Sequence, residues 1–199
     1  MNNKFDENAV ESCIKALLIA MGEDINRPGL KETPRRVTGY WKELLEGENY
    51  TNKEIAEKFK KDFIVSQNNL VIKEVKNVYS HCEHHLALMF NGIVYVAYIP
   101  IKVENGYKVL GLSKIDRIVD LCSKRLQLQE KLASDIAECI EIATGSNQVY
   151  VQILMNHGCV SARGPKSEGI TDVTYISNAL KNNSETRQEI ETKISNLRK

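Results

Sequence analysis

Apolar residues recur at steps of three and four near the start of the chain. Val10, Cys13, Ile14, Leu17, Leu18 and Met21 share one face of a helix expected over residues 6–21. That face should be buried, and Cys13 with it. After the Arg27-Pro28-Gly29 break, Thr33 reads as an N-cap with Pro34 in the first helical position. Val37, Tyr40, Trp41, Leu44 and Leu45 then repeat helically up to Gly47. The lysine-rich stretch 52–63 is less periodic and reads as a short surface helix. From Asn69 the period changes: Leu70, Ile72, Val75 and Val78 alternate with polar residues, as a half-buried strand does. Residues 86–90 and 93–101 flank Asn91-Gly92, a two-residue hairpin signal that predicts two antiparallel strands. Ser113, with Asp116 three residues on, opens a helix holding Ile115, Ile118, Val119 and Cys122 on one face. Another helix is expected over 127–143, closed by Gly145. Val149, Val151 and Ile153 alternate into a strand, residues 170–176 form one more, and a polar helix begins at Ser184.

This order predicts an α+β chain: an N-terminal helical region over 1–66 and a main domain over 67–199. With 199 residues and 42% hydrophobic content, one well-buried core is within reach. The 27 basic and 26 acidic residues nearly cancel, so no global field favours nucleic acid or a membrane surface, and any anion site must be local. The apolar runs fall far short of the ~18 residues a span requires, and no basic segment precedes an apolar run at the start. A cytoplasmic protein is expected. Five cysteines, an odd number, favour reduced thiols and make metal ligation the first question to ask of them. Cys122 and Cys139 lie on apolar helix faces and read as core thiols.

Cys82-Glu83-His84-His85 falls where one strand gives way to the next and, with His81, gathers three of the four histidines. A Cys and a His three apart can turn toward one ion while His84 is directed elsewhere. The remaining candidate is Cys159, just beyond His157 at the end of a distant strand. Three ligands leave one position open, the pattern of a catalytic zinc; on spacing alone a structural metal or a coincidental loop stands beside that reading. Two thiolates already neutralise a dication, so its water would want help from nearby bases, and His84 and His157 are at hand. His81 has no such role and reads as exposed or satisfied by a partner.

Several motifs, taken together and in order, resemble those of the GTP cyclohydrolase I family. They are Gly22-Glu23-Asp24, Leu30-Lys31-Glu32-Thr33-Pro34-Arg35-Arg36-Val37, Cys82-Glu83-His84-His85, Val96-Ala97-Tyr98-Ile99-Pro100, Gly111-Leu112-Ser113-Lys114-Ile115-Asp116-Arg117, Gln127-Leu128-Gln129-Glu130 and Cys159 through Ala162-Arg163-Gly164. The resemblance implies the tunnelling fold, an antiparallel sheet with helices packed on one face, closing between subunits into a pentamer-based ring and a decamer with active sites at the interfaces. It implies Zn2+ on Cys82, His85 and Cys159, and His84 and His157 as acid-base residues, with Ser113 assisting on the sugar side. Arg36, Lys114, Arg117 and Arg163 match positions around the triphosphate, and Gln129 and Glu130 positions around guanine. The implied reaction is hydrolysis of GTP at C8, with loss of formate and rearrangement to 7,8-dihydroneopterin triphosphate, the first step of tetrahydrofolate, pterin or deazapurine biosynthesis.

Physical chemistry agrees in part. The first turn of a helix favours an anion, although a plain N-cap is the ordinary role of a residue placed like Ser113. A carboxylate such as Glu130 suits the paired donors of guanine, and an arginine fork suits phosphate. Gly39 stands where the family often has lysine, Leu126 where proline is common, and Asn178-Ala179-Leu180 replaces a usual Gly-x-Phe. These departures bear on triphosphate affinity and subunit packing, and leave room for a related purine. Two alternatives remain. A nitrile reductase of the same fold would use a cysteine nucleophile and a nicotinamide, against which the Cys-x-His-His cluster argues. A non-catalytic zinc-stabilised ring would need neither His84 nor His157.

Overall fold

The computed structural model describes residues 5–198. In chain order the elements are α1 (Glu7–Ala20), α2 (Thr33–Leu44), a 3-10 turn (Glu46–Asn49), α3 (Asn52–Phe59), β1 (Asp62–Val65), β2 (Val71–Cys82), β3 (Leu88–Tyr98), β4 (Ile101–Val103), β5 (Gly106–Leu110), α4 (Leu112–Ser123), β6 (Leu126–Gln127), α5 (Gln129–Thr144), β7 (Val149–His157), α6 (Gly158–Ser161), β8 (Thr171–Ile176), α7 (Asn178–Lys181) and α8 (Ser184–Leu197). A five-stranded sheet has the order β6-β2-β3-β7-β8, and β1-β5-β4 form a second, smaller one. All pairs are antiparallel except β2 with β6.

Strand periodicity divides the large sheet into two faces. Val94, Val96 and Tyr98 of β3, with Val149, Val151, Ile153 and Met155 of β7, face the principal core. There they meet Ile55 of α3, Ile115, Ile118 and Val119 of α4 and Leu132, Ile136 and Ile140 of α5. Tyr95, Ala97 and Tyr150 point the other way, onto Leu180 of α7 and Ile190 and Ile194 of α8. The expected helices on one face are therefore α3 to α5, and the C-terminal pair adds a partial cover to the other. Cys122 and Cys139 are fully buried, their sulfurs 3.6 Å apart, and both are core thiols. No helix among the described residues is long and apolar enough to cross a membrane.

Several local expectations change. Asn91-Gly92 is not a turn: both residues lie within β3, where Asn91 takes a left-handed φ of 55°. The register slips between Phe90 and Ile93 of β3 against β7, and between Lys76 and Val78 of β2 against β3. A Cβ on Gly92 would stand 2.4 Å from the Val78 carbonyl oxygen, so close strand passage, not reversal, requires the glycine. The chain turns instead at residues 83–87, between β2 and β3, and at Glu104-Asn105, between β4 and β5. Thr33 begins α2 with Glu32 as its cap, and Ser113 sits inside α4 behind the cap residue Gly111 without a capping bond. Residues 52–63 divide into α3, opened by a Thr51–Glu54 capping box, and the start of β1. That helix buries Ile55 and Ala56 and is no mere surface element.

Arg125, itself buried, ties the N-terminal segment down: it donates to the Gly47 and Tyr50 carbonyls, to Asn52 and to Asp135. By contrast α1 has no buried residue, and Cys13 is exposed, not core. The apolar face of α1 lies against α2 and shares with Trp41, Leu45, Leu86 and Leu126 an open groove of about 300 Å³.

Candidate metal centre

Cys82 is the last residue of β2, and the turn that follows folds back on it. The Cys82 amide donates to the Ala87 carbonyl at 2.9 Å, while its own carbonyl accepts from the amides of Leu86 (2.9 Å) and His85 (3.4 Å). Leu86 takes a left-handed φ of 52° to close this turn. The end of β2 is anchored from behind. Ser80 Oγ donates to the Ser123 carbonyl at 2.8 Å and accepts from Gln127 Nε2 at 2.9 Å, and Gln127 pairs with Cys82 across β6 and β2. Cys159 arrives from across β3, on α6 at the end of β7. A Cβ on Gly158 would come within 2.9 Å of the Leu88 carbonyl oxygen, so glycine lets α6 press against the start of β3.

These elements bring the ligand atoms of Cys82, His85 and Cys159 within 4.8 Å of one another, with Cys82 Sγ 3.9 Å from His85 Nδ1. Cys82 is buried, Cys159 half-buried and His85 exposed, so the cluster opens to solvent on the histidine side. Burial, and then the neighbouring Cys82 sulfur, raise the Cys159 thiol above its ordinary range, while Arg163 pulls it down. Two sulfurs that oppose each other's ionisation are the arrangement a divalent cation relieves. The cluster can hold a metal ion.

His157 ends β7, opposite Met89 of β3. Its Nε2 lies 2.7 Å from Gln129 Oε1, and burial holds its pKa below the ordinary histidine value, opposed in part by the charge of Glu130. Glu130 is exposed on the first turn of α5, on the metal side of the sheet. Gln129 is only 2% exposed and buried beneath His157, away from the solvent-facing place beside a base that its motif suggested. His84 is exposed, its ring 6.2 Å from that of His85. His81 is buried and satisfied by the Tyr40 hydroxyl at 2.8 Å, with the Trp41 ring against its edge; this links α2, which carries the exposed Arg36, to the strand that ends at Cys82.

Ser113, Lys114 and Arg117 lie elsewhere. Asp116 of α4 pairs with Lys73 early in β2, whereas Ser123 at the far end of α4 accepts from Ser80, beside the metal turn. Helix and strand run in the same direction. Ser113 thus begins a helix whose other end, ~15 Å away at 1.5 Å per residue, is the one that meets the metal strand. In one chain the two sets do not converge.

Sequence reasoning missed the supports of this centre: Ser80, Gln127 and the Gln129–His157 contact. The only trace of them in the chain is that Gln127 stands between Leu126 and Leu128, with Gln129 next after it, at the mouth of a helix.

The profile of the family described as GTP cyclohydrolase I matches residues 10–195. GTP cyclohydrolase 1 of Clostridium acetobutylicum is 43% identical over 199 residues, 98% of this chain and 98% of its own. That of Clostridium beijerinckii is 41% identical over 196 residues, 95% of this chain and 97% of its own. That of Clostridium botulinum (strain Kyoto / Type A2) is 46% identical over 175 residues, 85% and 87% respectively.

Proposed function

The chain belongs to the GTP cyclohydrolase I family, and from that premise we propose that it hydrolyses GTP at C8, releasing formate and yielding 7,8-dihydroneopterin triphosphate. The observation that carries this is the cluster of Cys82, His85 and Cys159, with ligand atoms within 4.8 Å, beside the half-buried His157. Two sulfurs and an imidazole suit Zn2+, whose bonds of about 2.0–2.3 Å place tetrahedral ligands at roughly such separations. When bound, zinc supplies Lewis-acid activation of the hydrolytic water.

The chain's own residues do the rest. His157 and His84 move protons to and from the imidazole nitrogens of the purine as the five-membered ring opens. Glu130, near enough to His157 for its charge to be felt, accepts from the N1–H and N2 amino group of guanine. Arg163, whose charge reaches Cys159, and Arg36 hold triphosphate oxygens as paired donors. Remote phosphate binding keeps C8 in register with the metal.

Ser113, Lys114 and Arg117 complete the site from a neighbouring copy, because in their own chain they stand at the far end of α4 from the metal strand. The sheet favours such assembly. Before His81, β2 has no strand on its outer side, and β8 pairs only with β7, so among the described residues both edges are free for another chain. A pentamer-based ring stacked as a decamer is the proposed form. The test is formate release and product mass from GTP with zinc-replete protein; zinc-replete protein that leaves GTP intact refutes the function.

A further inference from the structure

Gln129 is the first residue of α5 and is wedged under the middle of β7 and the start of β8. Its side-chain Nε2 donates to the Ile153 carbonyl of β7 at 2.8 Å and to the Thr171 carbonyl of β8 at 3.0 Å. Both amide hydrogens are therefore committed. Turning the carboxamide over would set its oxygen against two carbonyl oxygens, so its orientation is determined by the network around it. What remains is Oε1, 2.7 Å from His157 Nε2.

An amide oxygen accepts and cannot donate. The hydrogen of that contact therefore sits on His157 Nε2 whether the ring is neutral or charged, and Nδ1 is the one ring atom free to take up or release a proton. We propose that Gln129 is a positioning residue that fixes His157 as its Nε2–H tautomer and makes Nδ1 the atom of proton transfer. The inference rests on the proton-transfer role given to His157 above. It assigns Gln129 an action through the histidine and none on the base, in keeping with a side chain that is 2% exposed and has no free donor. A third group orienting an imidazole from behind is a general device: without it the ring can turn, or present N–H where a lone pair is needed.

Two substitutions in the zinc-loaded enzyme test this. Gln129→Met keeps length and removes the acceptor, whereas Gln129→Glu keeps an oxygen for Nε2 and, with its other oxygen protonated, a donor toward the two carbonyls. Per bound zinc, Gln129→Met should lower kcat by ~10²-fold or more and change KM for GTP by less than about threefold. Gln129→Glu should recover kcat to within roughly tenfold of the parent. In solid-state NMR of the 15N-histidine-labelled enzyme, with His157 assigned by its loss in His157→Gln, the parent should show a protonated Nε2 and a bare Nδ1. This single pattern should break down in Gln129→Met.

A rise in KM with kcat preserved would make Gln129 a contact to the base and overturn the proposal. So would a parent His157 protonated on Nδ1, or variants that melt earlier yet keep kcat per bound zinc. Should Gln129→Met fail to fold, Gln129→Glu and the parent spectrum still decide. A parent that releases no formate refutes the function instead, and the tautomer remains readable in its spectrum.

Discussion

Cys159 and His157 are two residues apart where β7 runs into α6, yet their duties separate by chemistry. The sulfur of Cys159 belongs to the ligand cluster, while the ring of His157 is held from behind by Gln129. Cys159→Ala should lose bound zinc, read by metal analysis, and formate release with it. His157→Gln should keep its zinc and lose roughly 10²–10⁴-fold in kcat. Zinc retained in Cys159→Ala would break the ligand assignment, and full turnover in His157→Gln would break the catalytic one. The three candidate ligands were legible because a Cys and a His three apart, with one distant cysteine, form a short countable pattern. Gln129 was not: its partners stand 24, 28 and 42 residues away, and only the packing of α5 under β7 and β8 brings them together.

Among the elements, helix periodicity was legible wherever a helix buries one face, as α4 does with Ile115, Ile118, Val119 and Cys122. It misled for α1, whose stripe is equally regular but has no buried residue within one chain. Asn91-Gly92 misled for another reason. A tight hairpin and a bulge both call for a left-handed residue beside a glycine, and what distinguishes them is which strands lie alongside. Here Val78 does, so Gly92→Ala should force its Cβ into the Val78 carbonyl oxygen and destabilise by about 2–4 kcal/mol. A urea midpoint equal to that of the parent would argue against the bulge.

In α5, Glu141 is half-buried beneath the Tyr175 hydroxyl of β8, and burial holds its carboxyl above the ordinary range. A carboxyl raised on folding leaves stability intact below its unfolded pKa and drains it as pH rises through the folded value, since ionisation is then less favourable in the folded state. Glu141→Gln should therefore match the parent near pH 4 and gain roughly half a kcal/mol at pH 7.5 by urea unfolding. A gain that is larger in acid would reverse the assigned sign.

At the scale of the whole molecule, the proposed ring makes of each chain two incomplete half-sites. One end of the large sheet holds Cys82, His85, Cys159, His157 and Glu130, and the far end of α4 holds Ser113, Lys114 and Arg117. A ring that repeats one interface places the second set of each chain against the first set of its neighbour. Variants damaged in different halves should then repair one another. His157→Gln alone and a Lys114→Ala/Arg117→Ala double variant alone should both be nearly inactive. Dissociated, mixed in equal parts and reassembled, they should regain about a quarter of parental activity, because a random ring pairs one intact half of each kind at one interface in four. Mixing without reassembly should restore nothing. If both sets served a site within one chain, every site in the mixture would keep a damaged half and no activity would return, so recovery measures directly whether a single chain can hold its substrate at both ends.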